Sequence, residues 1–124
     1  MSKVLPVILM MIPSYFIVAA IHELGHILTG LSHGFKFHLF VIGPIGLKRN
    51  EQDEVVLYLE RNPVLWGGIG GVWPKIEDSG NFRAFARVLI AGPLFTFAFG
   101  GISLYLFLLI DHQFLLLLGA MALA

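Results

Sequence analysis

From Val4 to Ile21 the chain carries no charged side chain, and His22-Glu23-Leu24-Gly25-His26 follows without a break. Each feature constrains the other. The apolar block Val4–Leu31 is 28 residues long, about 42 Å as a helix at 1.5 Å per residue, against a hydrocarbon core of roughly 30 Å. A charged group within such a span costs about 2.5–3.5 kcal/mol on insertion scales, so a chain that keeps one there has a use for it. On a helix, His22 and His26 project from one face, one turn apart, and can share one Zn²⁺ at about 2.0–2.1 Å. Glu23 is rotated from His22 by about 100°. It therefore stands beside the metal, where a carboxylate can take a proton from a zinc-activated water.

Composition agrees with the span. Of 124 residues, 57% are hydrophobic and only 13% charged, with a mean hydropathy of +0.85; a soluble domain has about twice that share of charge. There is no cysteine, so a zinc site here has nitrogen and oxygen donors only. The net charge is zero and no basic cluster interleaves with aromatics, which argues against a nucleic-acid partner. A cleavable signal peptide fits Lys3 and the start of the apolar run. The run continues through the histidines, however, and the small residues Ala19 and Ala20 abut the zinc signature, so cleavage there would expose the first ligand.

One domain, 1–124, is expected, with three apolar blocks. The first, 4–31, carries the signature; Pro13 kinks it, which a membrane helix tolerates. The second, Val88–Ile110, has 23 uncharged residues, enough to span with some tilt. The third, 113–124, is too short to cross and reads as the start of a truncated helix. Between the first two lies a mixed segment, 32–86. Phe35–Leu39 alternates with period two and Val55–Leu59 is β-rich, so a hairpin or small sheet against the membrane face is expected. Trp66–Trp73, rich in glycine, is neither strand nor helix by propensity, and its two tryptophans suit the water–lipid interface. Lys36, Lys48, Arg49, Arg61, Lys75, Arg83 and Arg87 lie in or at the edge of this segment, and only Lys3 lies elsewhere. That asymmetry places the segment in the cytoplasm. The fold class is a mainly α membrane protein with two full transmembrane helices, a truncated third and a small β element between the first two.

A catalytic zinc takes three protein ligands and leaves one position open. His33 follows the signature one residue too late for the extended soluble-protease pattern. His38 falls on an expected strand, and Asp111 and His112 lie beyond the second span; none of these is taken as the third ligand. Gly25, Thr29 and Gly30 are small and would let another helix or a backbone come close.

With these residues in hand, the chain resembles the site-2 protease family of intramembrane zinc metalloproteases over most of its length. His22–His26 matches the family's first motif. Gly67–Gly71 resembles part of the membrane-associated sheet that the family places between its first two core helices. Ala91-Gly92-Pro93-Leu94-Phe95-Thr96 resembles its A-G-P-x-x-N segment, with Thr96 in place of Asn. The resemblance implies a zinc endopeptidase cleaving single-span membrane proteins, resident in the cell membrane. Zinc would sit on His22 and His26 with Glu23 as general base, while Gly92, Pro93 and Thr96 would handle substrate. The family's third ligand, an Asp in Asp-Gly on a third core helix, has no counterpart, since the sequence contains no Asp-Gly. Two readings follow: a protease, or a truncated or non-catalytic homologue acting as a membrane binding protein. A metal-transport element is disfavoured, because the second block offers only Thr96, Ser103 and Tyr105 as polar groups.

Overall fold

The first helix, α1 (Val4–Ser32), runs unbroken through Pro13. Pro13 has no N–H to give the turn before it, and one residue on Ser14, fully buried, donates its hydroxyl to the Met10 carbonyl at 2.6 Å. The computed structural model describes residues 3–75 and 81–124; residues 76–80 of the expected 32–86 segment lie outside them. Helix α1 ends in a Schellman motif. Gly34 takes the left-handed position with φ +80°, Gly34 N–H bonds the Leu31 carbonyl, and Phe35 N–H bonds the Gly30 carbonyl. Phe35 is thereby turned inward, 4% exposed, and meets the Phe85 ring at 6.2 Å.

That turn launches a four-stranded antiparallel sheet: β1 (Lys36–Ile42), β2 (Ile45–Arg49), β3 (Val55–Leu59) and β4 (Ile69–Trp73), in the order β3-β2-β1-β4. A two-residue turn joins β1 to β2. Gly43 has φ +55° and Pro44 a ring-fixed negative φ, the signs that a type II′ hairpin requires. The β2–β3 tip is fastened at Asp53, which ion-pairs with Lys36 and accepts at its carbonyl from Arg49 at 2.9 Å.

The glycine-rich segment departs from the expectation. Pro63–Gly67 forms a 3-10 turn and Ile69–Trp73 is a strand, paired with β1 from Lys36↔Trp73 to Val41↔Ile69. Propensity opposed a strand because glycine has no side chain to pack. Tertiary packing reverses this: a Cβ on Gly70 would lie 2.7 Å from Glu23 Oε2 and 3.1 Å from the Glu23 carbonyl oxygen. Only a bare backbone can run that close to α1. Following the register from Gly70 through Phe40 and Ile42 to Ile45, Leu57 and Leu59 traces one sheet face. It lies on α1 at one end and overhangs it at the other, where Ile45, Leu57 and Leu59 are exposed.

Helix α2 (Asn81–Ile110) passes through Pro93, and α3 (Gln113–Leu123) follows, opened by His112, whose Nδ1 accepts from Phe114 N–H at 3.3 Å. The expected second helix, 88–110, is too short at its start: α2 takes in residues 81–87, which the charges of Arg83 and Arg87 had made look like loop. Glycines set the helix spacing. A Cβ on Gly25 would stand 2.7 Å from the Ala91 carbonyl oxygen, and a Cβ on Gly119 would strike Leu104. Leu5, Leu108 and Leu109 point outward, 61%, 79% and 65% exposed, so the long helices are apolar on their outer faces as well as their inner ones. Helices α1 and α2 are both long and apolar enough to cross a membrane.

Candidate metal centre

His22, Glu23 and His26 come from the second half of α1, and α2 supplies the wall opposite. The two imidazoles lie 4.9 Å apart, centroid to centroid, nearly at right angles. Their outer nitrogens are both held by α2. His26 Nδ1 is 2.6 Å from the Val88 carbonyl oxygen. A carbonyl only accepts, so Nδ1 carries the proton and Nε2 keeps its lone pair. The same result reaches His22 by a longer route. Thr96 donates its hydroxyl proton to the Gly92 carbonyl at 2.9 Å. Its oxygen can then only accept from His22 Nδ1, 3.1 Å away, and His22 Nε2 is also left as a lone pair.

Both Nε2 atoms lie against Gly92 of α2. A Cβ on Gly92 would overlap His26 Nε2 and stand 2.9 Å from His22 Nε2. The bare α-carbon of Gly92 is what lets the two imidazoles pack so closely on α2. Pro93 acts beside it, since it lacks the N–H that the Leu89 carbonyl would take in an unbroken helix. From this stretch of α2 the Val88 carbonyl and the Thr96 hydroxyl oxygen meet the two histidines.

Glu23 occupies the gap between α1 and β4, its carboxylate against Gly70. It borders two clefts. One, of about 280 Å³, is lined by Tyr15, Ala19, His22, Gly67, Thr96 and Met121 as well as Glu23. The other, of about 250 Å³, lies between Glu23, His26, Gly70, Gly71 and Val88. His22, Glu23 and His26 are half-buried, so the group is sheltered yet reachable from both clefts.

Thr96 is engaged by His22 and Gly92 lies against both imidazoles, while Pro93, next to Gly92 on α2, is exposed. Gly25 and Gly30 do admit close neighbours, α2 and the Val72 side chain of β4 respectively. The other histidines lie elsewhere. His33 bonds Arg87 and the Thr29 carbonyl, His38 sits by Trp73, and His112 caps α3. Asp111 takes a left-handed turn with φ 54° between α2 and α3. Among the described residues no group of three or more His, Asp or Glu is placed to hold a metal by itself. Two parts of the site had no motif. The Val88 carbonyl is backbone and leaves no trace in residue type. Tyr15, whose hydroxyl donates to the Gly67 carbonyl at 3.1 Å, looked like one more apolar-run residue.

The model of peptidase family M50, the site-2 protease family, matches residues 10–119, a stretch that contains every residue of this centre. The chain belongs to peptidase family M50. No curated protein and no solved structure matches it. The donor set of this M50 chain fits zinc: two imidazoles with Nδ1 anchored to oxygen and Nε2 left to ligate, as metal-ligating histidines are generally held.

Proposed function

We propose that this M50 chain carries the core of a zinc-dependent intramembrane endopeptidase acting on single-span membrane proteins. The observation that supports it most directly is that His22 Nε2 and His26 Nε2 both lie by Gly92, with Glu23 bordering the same clefts. His22 and His26 would hold the metal. Zinc at such a site supplies Lewis-acid polarisation of a scissile carbonyl and makes the attacking water more acidic. Glu23 takes the proton from that water on a carboxylate oxygen and passes it to the leaving amine. Val88 and Thr96 keep the two imidazoles in the ligating tautomer throughout. Strand β4 ends the sheet, with its outer edge unpaired among the described residues. A substrate segment unwound from its helix can add to that edge by main-chain hydrogen bonds, which brings its peptide bonds alongside Gly70 and hence Glu23.

The rival reading, a homologue that keeps the fold and binds without turnover, draws on the absence of a third donor group among the described residues. Two measurements on the detergent-purified chain separate them. Metal analysis of the wild type and His22→Ala should find stoichiometric zinc in the first and its loss in the second. Proteoliposomes with a single-span reporter should then show cleavage that Glu23→Gln abolishes while keeping its zinc. Zinc retained without cleavage in the wild type favours the rival; no zinc in the wild type sinks the protease reading and leaves the rival standing.

A further inference from the structure

A second surface of α2, turned away from the metal centre, carries its own chemistry. Thr96, Gly92 and Val88 recur every four residues on one face; Ala98, Leu94, Ala91 and Arg87 follow each other on another. Along that second face the seam of α1 and α2, which touch where Gly25 meets Phe95, forms a shallow surface furrow in two parts. Its upper part, about 290 Å³, is bordered by Thr29, His33, Arg87, Ile90 and Leu94. Its lower part, about 470 Å³, is bordered by Ile21, Phe95, Ala98, Phe99 and Ile102. Leu94 and Phe95 line both parts. The furrow is polar only at the top. From Arg87 to Ile102 it descends about 22 Å at 1.5 Å per residue, enough to cross one leaflet, half of a core roughly 30 Å thick.

The polar mouth is built with a definite hydrogen-bond direction. His33 Nδ1 lies 2.8 Å from the Thr29 carbonyl and must donate to it. Its Nε2 then accepts from Arg87 Nη1 at 3.3 Å. Arg87 is therefore oriented by a neutral partner and keeps its full charge; among the described residues it makes no ion pair. An oriented guanidinium above an apolar furrow, at the end of the span that the basic residues place at the cytoplasmic face, matches the two ends of one kind of molecule.

We infer that this furrow binds an anionic phospholipid of the cytoplasmic leaflet, its phosphate on Arg87 and one acyl chain along Leu94, Phe95 and Ile102. The inference rests on the membrane-spanning part of the function proposed above and is independent of whether the centre turns over substrate. The test reconstitutes the full chain in nanodiscs of mixed phosphatidylglycerol and phosphatidylcholine and measures co-purifying lipid by native mass spectrometry, with zinc content measured in parallel. Phosphatidylglycerol should be retained preferentially. Arg87→Ala should lower that preference about fivefold, the factor one interfacial cation supplies. Arg83→Ala, which removes the same charge one turn earlier, should leave it within error. Leu94→Trp, which fills the furrow, should reduce retention of the bound lipid in a chain whose zinc content is unchanged. The inference is overturned by any of four results: equal retention of phosphatidylcholine; equal loss in Arg83→Ala, which would mean diffuse charge attraction; displacement by inorganic phosphate alone, which would mean a simple anion site; or displacement by a transmembrane substrate peptide with no lipid preference, which would make the furrow a substrate path. Zinc content reports separately on the metal centre, so its failure and the failure of the lipid site are distinguishable.

Discussion

Gly92 is the residue on which the proposed centre turns, because its missing side chain lets both imidazoles sit against α2. Gly92→Ala should reduce zinc binding by more than tenfold, checked by chelator competition, while the helix content read by circular dichroism stays the same, alanine being the better helix former. Thr96 acts one atom further out. Its hydroxyl gives its proton to the Gly92 carbonyl and accepts from His22 Nδ1, so what matters is an oxygen at that position. Thr96→Val, equal in shape, should cost about 10–100-fold in zinc affinity, the usual range when the outer partner of a ligating histidine is removed. Thr96→Ser should restore most of it. If valine and serine bind zinc alike, the hydroxyl is not what orients His22, and the substrate-handling role expected from the motif becomes the better account.

At the scale of elements, the β2–β3 tip is fastened by an ion pair that titrates. The hydrogen bond from Lys36, with the nearby Lys36 and Arg49 charges, keeps the Asp53 carboxyl below its ordinary value. A group depressed in the folded state adds stability that is present above its unfolded pKa and lost as pH falls through the folded one. The β2–β3 tip should therefore loosen below about pH 4, the unperturbed Asp value, and be unaffected above it. Amide-exchange protection at Asp53 and Glu54, corrected for intrinsic rates, should fall in acid in the wild type and be low and flat in Asp53→Asn. Glu60 is lowered as well, first by the Asn62 backbone N–H and then by Tyr58, so the strand's other end responds in the same direction. These elements were unequally legible in the sequence. The two long helices and their signature could be read directly, since an uncharged run and a four-residue spacing are local patterns. Strand β4 could not, because its glycines answer to Glu23 on another element and not to their own neighbours. The start of α2 was hidden for a different reason: Arg83 and Arg87 end the apolar block, but a helix does not stop where its hydropathy does. The Val88 carbonyl, half of what orients the histidines, has no residue type to betray it.

For the whole molecule, depth organises the parts. On α1, six residues from His26 to Ser32 rise about 9 Å, and ten from His22 rise about 15 Å; on α2, nine from Arg87 to Thr96 rise about 13.5 Å. Both helices thus set the histidines and Thr96 within about 15 Å of a rim carrying Arg87 and His33, the half-thickness of a bilayer core. This arrangement requires α2 to cross the bilayer, and the same depth scale yields the test. Phe97 is 57% exposed and about 13.5 Å along the helix from Val88, near the bilayer centre if α2 spans. Phe82 is more exposed, 81%, and precedes the span. Placing arginine at the centre of a spanning helix costs about 2.5–3.5 kcal/mol, and the cost declines toward the ends. In a glycosylation-mapping assay Phe97→Arg should lower the inserted fraction of α2 markedly, whereas Phe82→Arg should leave it unchanged. A soluble packing of the same helices predicts no difference between the two: both positions are outward-facing, and water accepts arginine at either. Equal behaviour of the two variants would move the histidines out of the membrane and remove the basis for an intramembrane substrate.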